Sequence, residues 1–279
     1  MRLSRPAARL LTLAFVLPAM FLAGCSAQSG AAKTVLTVTG STTILPIAEV
    51  AAEMFHVRHS DLRVLVAGVG SSAGIESVTK GTSDIGTSSR ELTPQEKTLG
   101  LVDTPVAFDA IAVIVNPANP VKALSKTQAA DIFEGKITNW KQVGGPDEPI
   151  GVVNRDEASG TRDAFSKIVL GGAAFDSRAA VLPGTGQVRA VVADSLTAVG
   201  YISLGFVDKS VKAVSIDGVV PTEKTVADGT YPVSRKLHFF TVGVPSGLKK
   251  TYIDFVLSTA IQDKVVRDAG FLPVAEGRK

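Results

Sequence analysis

A chain of 279 residues with 45% hydrophobic and 20% charged positions is long enough to bury one large core or to divide into two lobes. Its single cysteine excludes a disulfide framework, so the folded part must be held by its apolar core. Lys and Arg total 29 against 26 Asp and Glu, and no basic run interleaved with aromatics accompanies that small excess, which leaves a nucleic-acid binder without its usual signature.

The excess belongs to the N-terminus. Residues 1–9 carry Arg2, Arg5 and Arg9 and no acid, and Leu10 to Phe21 is an apolar stretch interrupted by Thr12 and Pro18. That stretch is too short for a comfortable membrane span, and the pattern predicts a secretory signal peptide over 1–24. Leu22-Ala23-Gly24-Cys25 resembles the lipobox of bacterial lipoproteins, which implies cleavage before Cys25 and diacylation of its sulfur. Loss of the signal leaves 26 basic against 26 acidic residues. Residues 25–33 then read as a lipidated terminus and flexible tether.

From 34 onward short apolar strands alternate with helical periodicity, the pattern of an α/β architecture. Strands are expected at Val35–Thr39, Leu62–Val69 and Asp84–Thr87. After the first, Gly40-Ser41-Thr42-Thr43-Ile44 leads into a helix with Ile44, Ile47, Ala48, Ala51, Met54 and Phe55 on one face, and Pro46 falls in its first turn. After the second, Gly68-Val69-Gly70-Ser71-Ser72-Ala73-Gly74 opens a short helix through Ile75 and Val78. The third ends in Ser88-Ser89-Arg90. Thr93-Pro94-Gln95-Glu96 and Ser125-Lys126-Thr127-Gln128 are capping-box patterns that start helices, the second ended by Gly135. Phe108 to Pro117 and His238 to Val244 are long apolar strands able to cross between lobes. Trp140, in a turn-rich connection, is expected to be a packing anchor. Further strands are expected at Ala179–Leu182 and Gly200–Leu204, and helices at Gln187–Ala193, Leu248–Leu257 and Thr259–Ala269.

The chemistry concentrates in Asn154-Arg155-Asp156-Glu157-Ala158-Ser159-Gly160-Thr161-Arg162. It follows the strand-like Pro149 to Val153 and precedes a helix through Phe165 and Leu170. The first turn of a helix leaves backbone N–H groups unpaired and carries partial positive charge. Gly160 permits close approach to that backbone, two hydroxyls flank it, and Arg155 supplies a planar guanidinium suited to an oxyanion. A single such turn is explained by helix capping. Three helix openings of this kind, at Ser41, Ser71 and Ser159, with a hydroxyl-tipped strand end at Ser89, instead describe one site for a small tetrahedral oxyanion.

Taken in order, these stretches resemble the phosphate-binding protein family of bacterial high-affinity phosphate ABC transporters. The resemblance rests on Thr39 to Thr43 with Pro46, Gly70-Ser71-Ser72 with Gly74-Ile75, Asp84 to Arg90, Ile132 to Trp140, and Arg155 with Ser159-Gly160-Thr161. It implies a type II periplasmic-binding-protein fold, two α/β lobes joined by two crossing strands, with lobe 1 over 34–109, lobe 2 over 110–238 and a return to lobe 1 over 239–279. It implies an extracytoplasmic solute-binding lipoprotein, monomeric and without cofactor, metal or catalytic residue, that closes on inorganic phosphate and delivers it to ABC permease subunits. The groups it assigns to the anion are Ser41, Thr42, Thr43, Ile44, Ser71, Ser89, Arg155, Ser159, Gly160 and Thr161. Many family members carry aspartate at the position of Ser89, where it accepts from protonated phosphate.

Two rivals follow from the residues. The same donors suit sulfate, molybdate or tungstate. Gly70-Ser71-Ser72-Ala73-Gly74 also satisfies G-x-S-x-G, the nucleophile elbow of a serine hydrolase using Ser72. That chemistry needs a histidine base, and only His56, His59 and His238 are present.

Overall fold

The computed structural model describes residues 34–276; the expected signal peptide, Cys25 and tether lie outside the described residues. In chain order come β1 (Thr34–Gly40), α1 (Leu45–Arg58), β2 (Leu62–Gly68), α2 (Ser71–Thr79), β3 (Ile85–Ser88), β4 (Leu101–Val115), β5 (Ala123–Leu124) and α3 (Lys126–Phe133). They are followed by β6 (Gly151–Arg155), α4 (Gly160–Phe165), β7 (Ala180–Leu182), α5 (Thr185–Asp194) and β8 (Ala198–Ser203). The last are β9 (Lys212–Ala213), β10 (Ser215–Ile216), α6 (Glu223–Ala227), β11 (Ser234–Val242) and α7 (Gly247–Leu257).

The main sheet runs β2-β1-β3-β11-β4-β8-β6-β7, with β9 added on β4. β1 pairs in parallel with β2 and β3, and β6 in parallel with β7 and β8. β4 and β11 run antiparallel between these two groups. β4 holds them together because its residues 101–110 pair with β11, whereas 111–115 pair with β8. Each group has its own core. Leu36, Val38, Ile47, Phe55, Phe239, Tyr252 and Val256 belong to one buried cluster. Ile111, Phe133, Trp140, Phe165, Tyr201 and Tyr231 belong to another, while α5 covers the opposite face with Val188 and Val192 against Ile114 and Ile202. These are the two α/β lobes of a periplasmic-binding-protein fold.

Local chemistry explains the element ends. α1 buries Ile47, Ala48, Ala51, Ala52 and Phe55 and takes Pro46 in its first turn, where a missing N–H costs no intrahelical bond. The Ser125–Gln128 capping box forms as expected. Trp140 is wholly buried, and its Nε1 donates to the Thr197 carbonyl at 2.9 Å.

Three expectations are corrected. At Thr93 the reciprocal bonds with Glu96 form, but only one 3-10 turn, Glu96–Leu99, follows, because Gly100 at φ 70° already turns the chain into β4. The crossing strands start earlier than their apolar runs, β4 at Leu101 and β11 at Ser234, since polar residues such as Asp103, Thr104 and Ser234 to Lys236 join the β4–β11 ladder through their backbone. The helices after Ala164 and Thr259 pass into π-helical turns at Ser166–Leu170 and Ile261–Val266. Among the described residues no helix is long and apolar enough to cross a membrane.

Candidate functional site

The anion-type turns follow the carboxyl ends of β1, β2, β3 and β6, the edge at which open α/β sheets bind ligands. The structure brings the turns of both lobes into contact. Thr43 Oγ1 lies 3.2 Å from Thr161 Oγ1, and Thr42 Oγ1 lies 3.2 Å from Thr185 Oγ1. Ser71 Oγ lies 3.3 Å from Ser89 Oγ and accepts from the Ser89 N–H at 3.1 Å. Ser41, Thr43, Ser71, Ser89, Arg155, Ser159 and Thr161 are all buried, as is Thr185.

Gly160 is where close approach is required. A Cβ there would fall 2.3 Å from Ser71 Oγ and 2.9 Å from Ser89 Oγ, so only glycine lets this helix opening meet the hydroxyls of the other lobe. Gly70, at φ 102°, packs against Ala158 in the same way, and the Ser72 N–H donates to the Ala158 carbonyl at 3.1 Å. Among the described residues, the backbone N–H groups of Thr42, Ser71, Gly160 and Thr161 have no hydrogen-bond partner. These are the orphan donors that helix openings leave.

Arg155 closes β6 with a side chain 2% exposed. Its Nε donates to the Leu182 carbonyl at 3.1 Å, Nη1 to Thr185 Oγ1 at 3.2 Å, and Nη2 to the Pro183 carbonyl at 2.8 Å and Thr42 Oγ1 at 3.3 Å. Those bonds take four of the five guanidinium donors and engage only neutral oxygens. Among the described residues no carboxylate forms an ion pair with it. Burial pushes the Arg155 guanidinium down from its ordinary value; the Asp156 charge opposes this and the like charge of Arg235 adds to it. A buried, always-protonated guanidinium without an ion-paired carboxylate is costly, and an anion would reduce that cost.

The remaining expected residues have local partners. Ser159 caps α4 by accepting from the Arg162 N–H at 3.2 Å. Ser41 donates its N–H to Thr87, and its Oγ accepts from the Thr43 N–H. The Ile44 side chain is wholly buried and its N–H donates to the Ser41 carbonyl at 3.2 Å.

Sequence reading missed four residues at this place. Thr185 bridges Thr42 and Arg155. Arg235, cross-strand partner of Asp109, bonds that carboxylate through Nε at 2.9 Å and Nη2 at 2.7 Å. Asp109 also accepts from Ser203 Oγ at 2.7 Å. Burial pushes the Asp109 carboxyl up, opposed by Arg235 and by Ser203. For Asp109 the available signal was a lone acid inside an apolar strand, since a charge survives there only when paired; Arg235, beside Lys236 and ahead of the His238 run, carried no such signal. Beside the site, Arg90 bonds Glu96 through both η nitrogens, at 2.6 and 2.8 Å, and holds that carboxyl down at about 2. Arg90 Nε also lies 2.9 Å from Asp163 Oδ2 on α4, an ion pair by distance without hydrogen-bond alignment.

The hydrolase constellation does not assemble. Ser72 Oγ accepts from Arg90 Nη2 at 3.1 Å. His238 pairs with Asp103, His56 with the Leu62 carbonyl, and His59 packs on Phe55.

Residues 27–260 match the family model of a PBP superfamily domain. The phosphate-binding protein PstS of Bacillus subtilis (strain 168) is 38% identical over 246 residues, which cover 86% of this chain and 81% of that protein. PstS of Borreliella burgdorferi is 30% identical over 278 residues, 95% of this chain and 99% of that one. Among solved structures, a candidate phosphate ABC transporter substrate-binding protein from Clostridium perfringens, solved with bound phosphate, superposes with a TM-score of 0.83 at 39% identity. That match covers 86% of this chain and 100% of the other.

Proposed function

Because the chain belongs to the PBP superfamily and, within it, to the phosphate-binding proteins of bacterial phosphate ABC transporters, we propose that it captures inorganic phosphate between its two lobes. That family is one of solute-binding proteins rather than enzymes. The observation that carries the proposal is Arg155, buried without a carboxylate partner beside the unpaired N–H groups of Thr42, Ser71, Gly160 and Thr161. The ligand groups are Ser41, Thr42, Thr43, Ile44, Ser71, Ser89, Arg155, Ser159, Gly160 and Thr161. Ser41 and Ile44 act by shaping the first turn, whose bonds they supply.

Lobe 1 is assigned to 34–109, lobe 2 to 110–238 and the return to 239–279. The change of partner along β4 after Ala110 supports the first of these limits. The protein acts outside the cytoplasm as a monomer and hands phosphate to permease subunits. The signal pattern and the lipobox-like Leu22 to Cys25 support an anchor on two acyl chains, which together hold a protein stably at a membrane. Intact-mass measurement of the native protein tests this; a Cys25 without lipid refutes it.

Calorimetry of the purified full chain with phosphate, sulfate and arsenate tests the binding. Phosphate should bind tightest. Arg155→Ala should weaken it at least about tenfold, because charge-assisted bonds contribute about 1.5–3 kcal/mol each. Arg155→Lys should recover only part, since the planar fork is lost. Tighter sulfate than phosphate would reassign the ligand, and unchanged affinity in Arg155→Ala would move the site.

A further inference from the structure

Arg235 stands at the junction of the two crossing strands. It lies opposite Asp109 where β4 is about to exchange β11 for β8 as its partner. Asp109 is 2% exposed and Arg235 8%. The carboxylate divides its oxygens between two strands: Oδ2 takes both Arg235 bonds from β11, and Oδ1 takes Ser203 Oγ from the end of β8. The pair is therefore fixed on three strands at once.

The rest of the guanidinium faces the cleft. Nη1 donates to the Ser89 carbonyl at 3.1 Å, and Nη2 reaches Thr43 Oγ1 at 3.5 Å. These are two of the lobe 1 residues assigned to the anion. A threonine hydroxyl has one proton; when its oxygen accepts from a guanidinium, that proton is left to be donated. Thr43 Oγ1 has Thr161 Oγ1 3.2 Å away across the cleft, so the acceptor within its reach is that hydroxyl or an anion beside it. Asp109 answers the Arg235 charge. What Arg235 contributes to an anion is therefore orientation, while the charge without an ion-paired carboxylate is that of Arg155.

We propose that Arg235, clamped by Asp109 and Ser203, is a positioning residue of the oxyanion site that presents the Thr43 hydroxyl as a hydrogen-bond donor and fixes Ser89. This rests on the reading of the cleft as an oxyanion site.

The test is calorimetry on the full chain with inorganic phosphate, together with the thermal midpoint of each variant. Arg235→Lys keeps a cation for Asp109 but loses the fork. It should hold its midpoint near the wild-type value while phosphate affinity falls about tenfold. Wild-type affinity in Arg235→Lys overturns the proposal. Should lysine fail to fold, Arg235→Gln with Asp109→Asn replaces both charges and leaves neither buried alone. The effect of that double change should be at least about threefold smaller in a Thr43→Val background than with Thr43 present. Equal effects in the two backgrounds also overturn the proposal. Wild-type protein that binds arsenate or sulfate but not phosphate refutes the phosphate reading alone, and the same series is then read with that anion. Binding of none of the three removes both.

Discussion

Selectivity at the scale of single residues depends on which hydroxyls can accept. Thr42 and Thr185 accept from Arg155, Ser71 from the Ser89 N–H, and Ser159 from the Arg162 N–H. Each keeps its proton for donation. Among the described residues, Ser89 and Thr161 are the cleft hydroxyls whose oxygens take no N–H. Such a lining suits any tetrahedral oxyanion, and none of the residues assigned to the ligand is a carboxylate that would demand a proton from it. Phosphate near neutral pH still carries one proton and sulfate none. Ser89→Asp should therefore weaken sulfate by at least about a hundredfold through like-charge contact, weaken phosphate far less, and make phosphate binding fall more steeply as pH rises. Calorimetry with each anion below and above neutrality reads this. Equal losses for both anions would leave Ser89 as a strand end without a part in selectivity.

Among the elements, the legible parts were those whose signal is local. The capping boxes at Ser125 and Thr93 form, and the Ser41, Ser71 and Ser159 turns open helices as their hydroxyl and glycine content predicts. The apolar runs of β4 and β11 mark the strands that join the lobes. What stayed hidden is long-range. Nothing near Thr185 in sequence says that its hydroxyl meets Thr42, 143 residues away. Arg235 and Asp109, 126 residues apart, become partners only through the register of β11 on β4. Gly160 illustrates the intermediate case. Its sequence context suggested close approach to a backbone, but the Ser71 and Ser89 hydroxyls that crowd it belong to the other lobe. The length of the helix after Thr93 was also illegible, because Gly100 ends it after one turn, whereas Gly135 was legible as the end of α3.

For the whole molecule the question is how firmly the lobes hold together before an anion joins them. Among the described residues, links across the cleft include the Ser72–Ala158 backbone bond, the Thr43–Thr161 and Thr42–Thr185 hydroxyl pairs, the Arg155–Thr42 bond, and the Arg90–Asp163 ion pair, beside the Arg235 bonds at the strand junction. Neutral bonds of this kind exchange with water at a net gain of about 1 kcal/mol each. Closure must also order the lobes and bury Arg155 without an ion-paired carboxylate, which opposes those gains. An anion bound by donors of both lobes tips that balance, because a ligand shifts a conformational equilibrium only by its differential affinity for the two states. In a chain lacking residues 1–25, small-angle scattering should show a radius of gyration falling towards about 18 Å, the compact value for its length, as phosphate saturates it. Asp163→Asn removes one closing link without touching the proposed ligand groups. It should give a larger radius than wild type in the absence of phosphate, the same radius at saturation, and a requirement for several-fold more phosphate to reach it. A radius that phosphate does not change in either protein would mean that the lobes are rigidly closed, and that the anion enters by local opening instead.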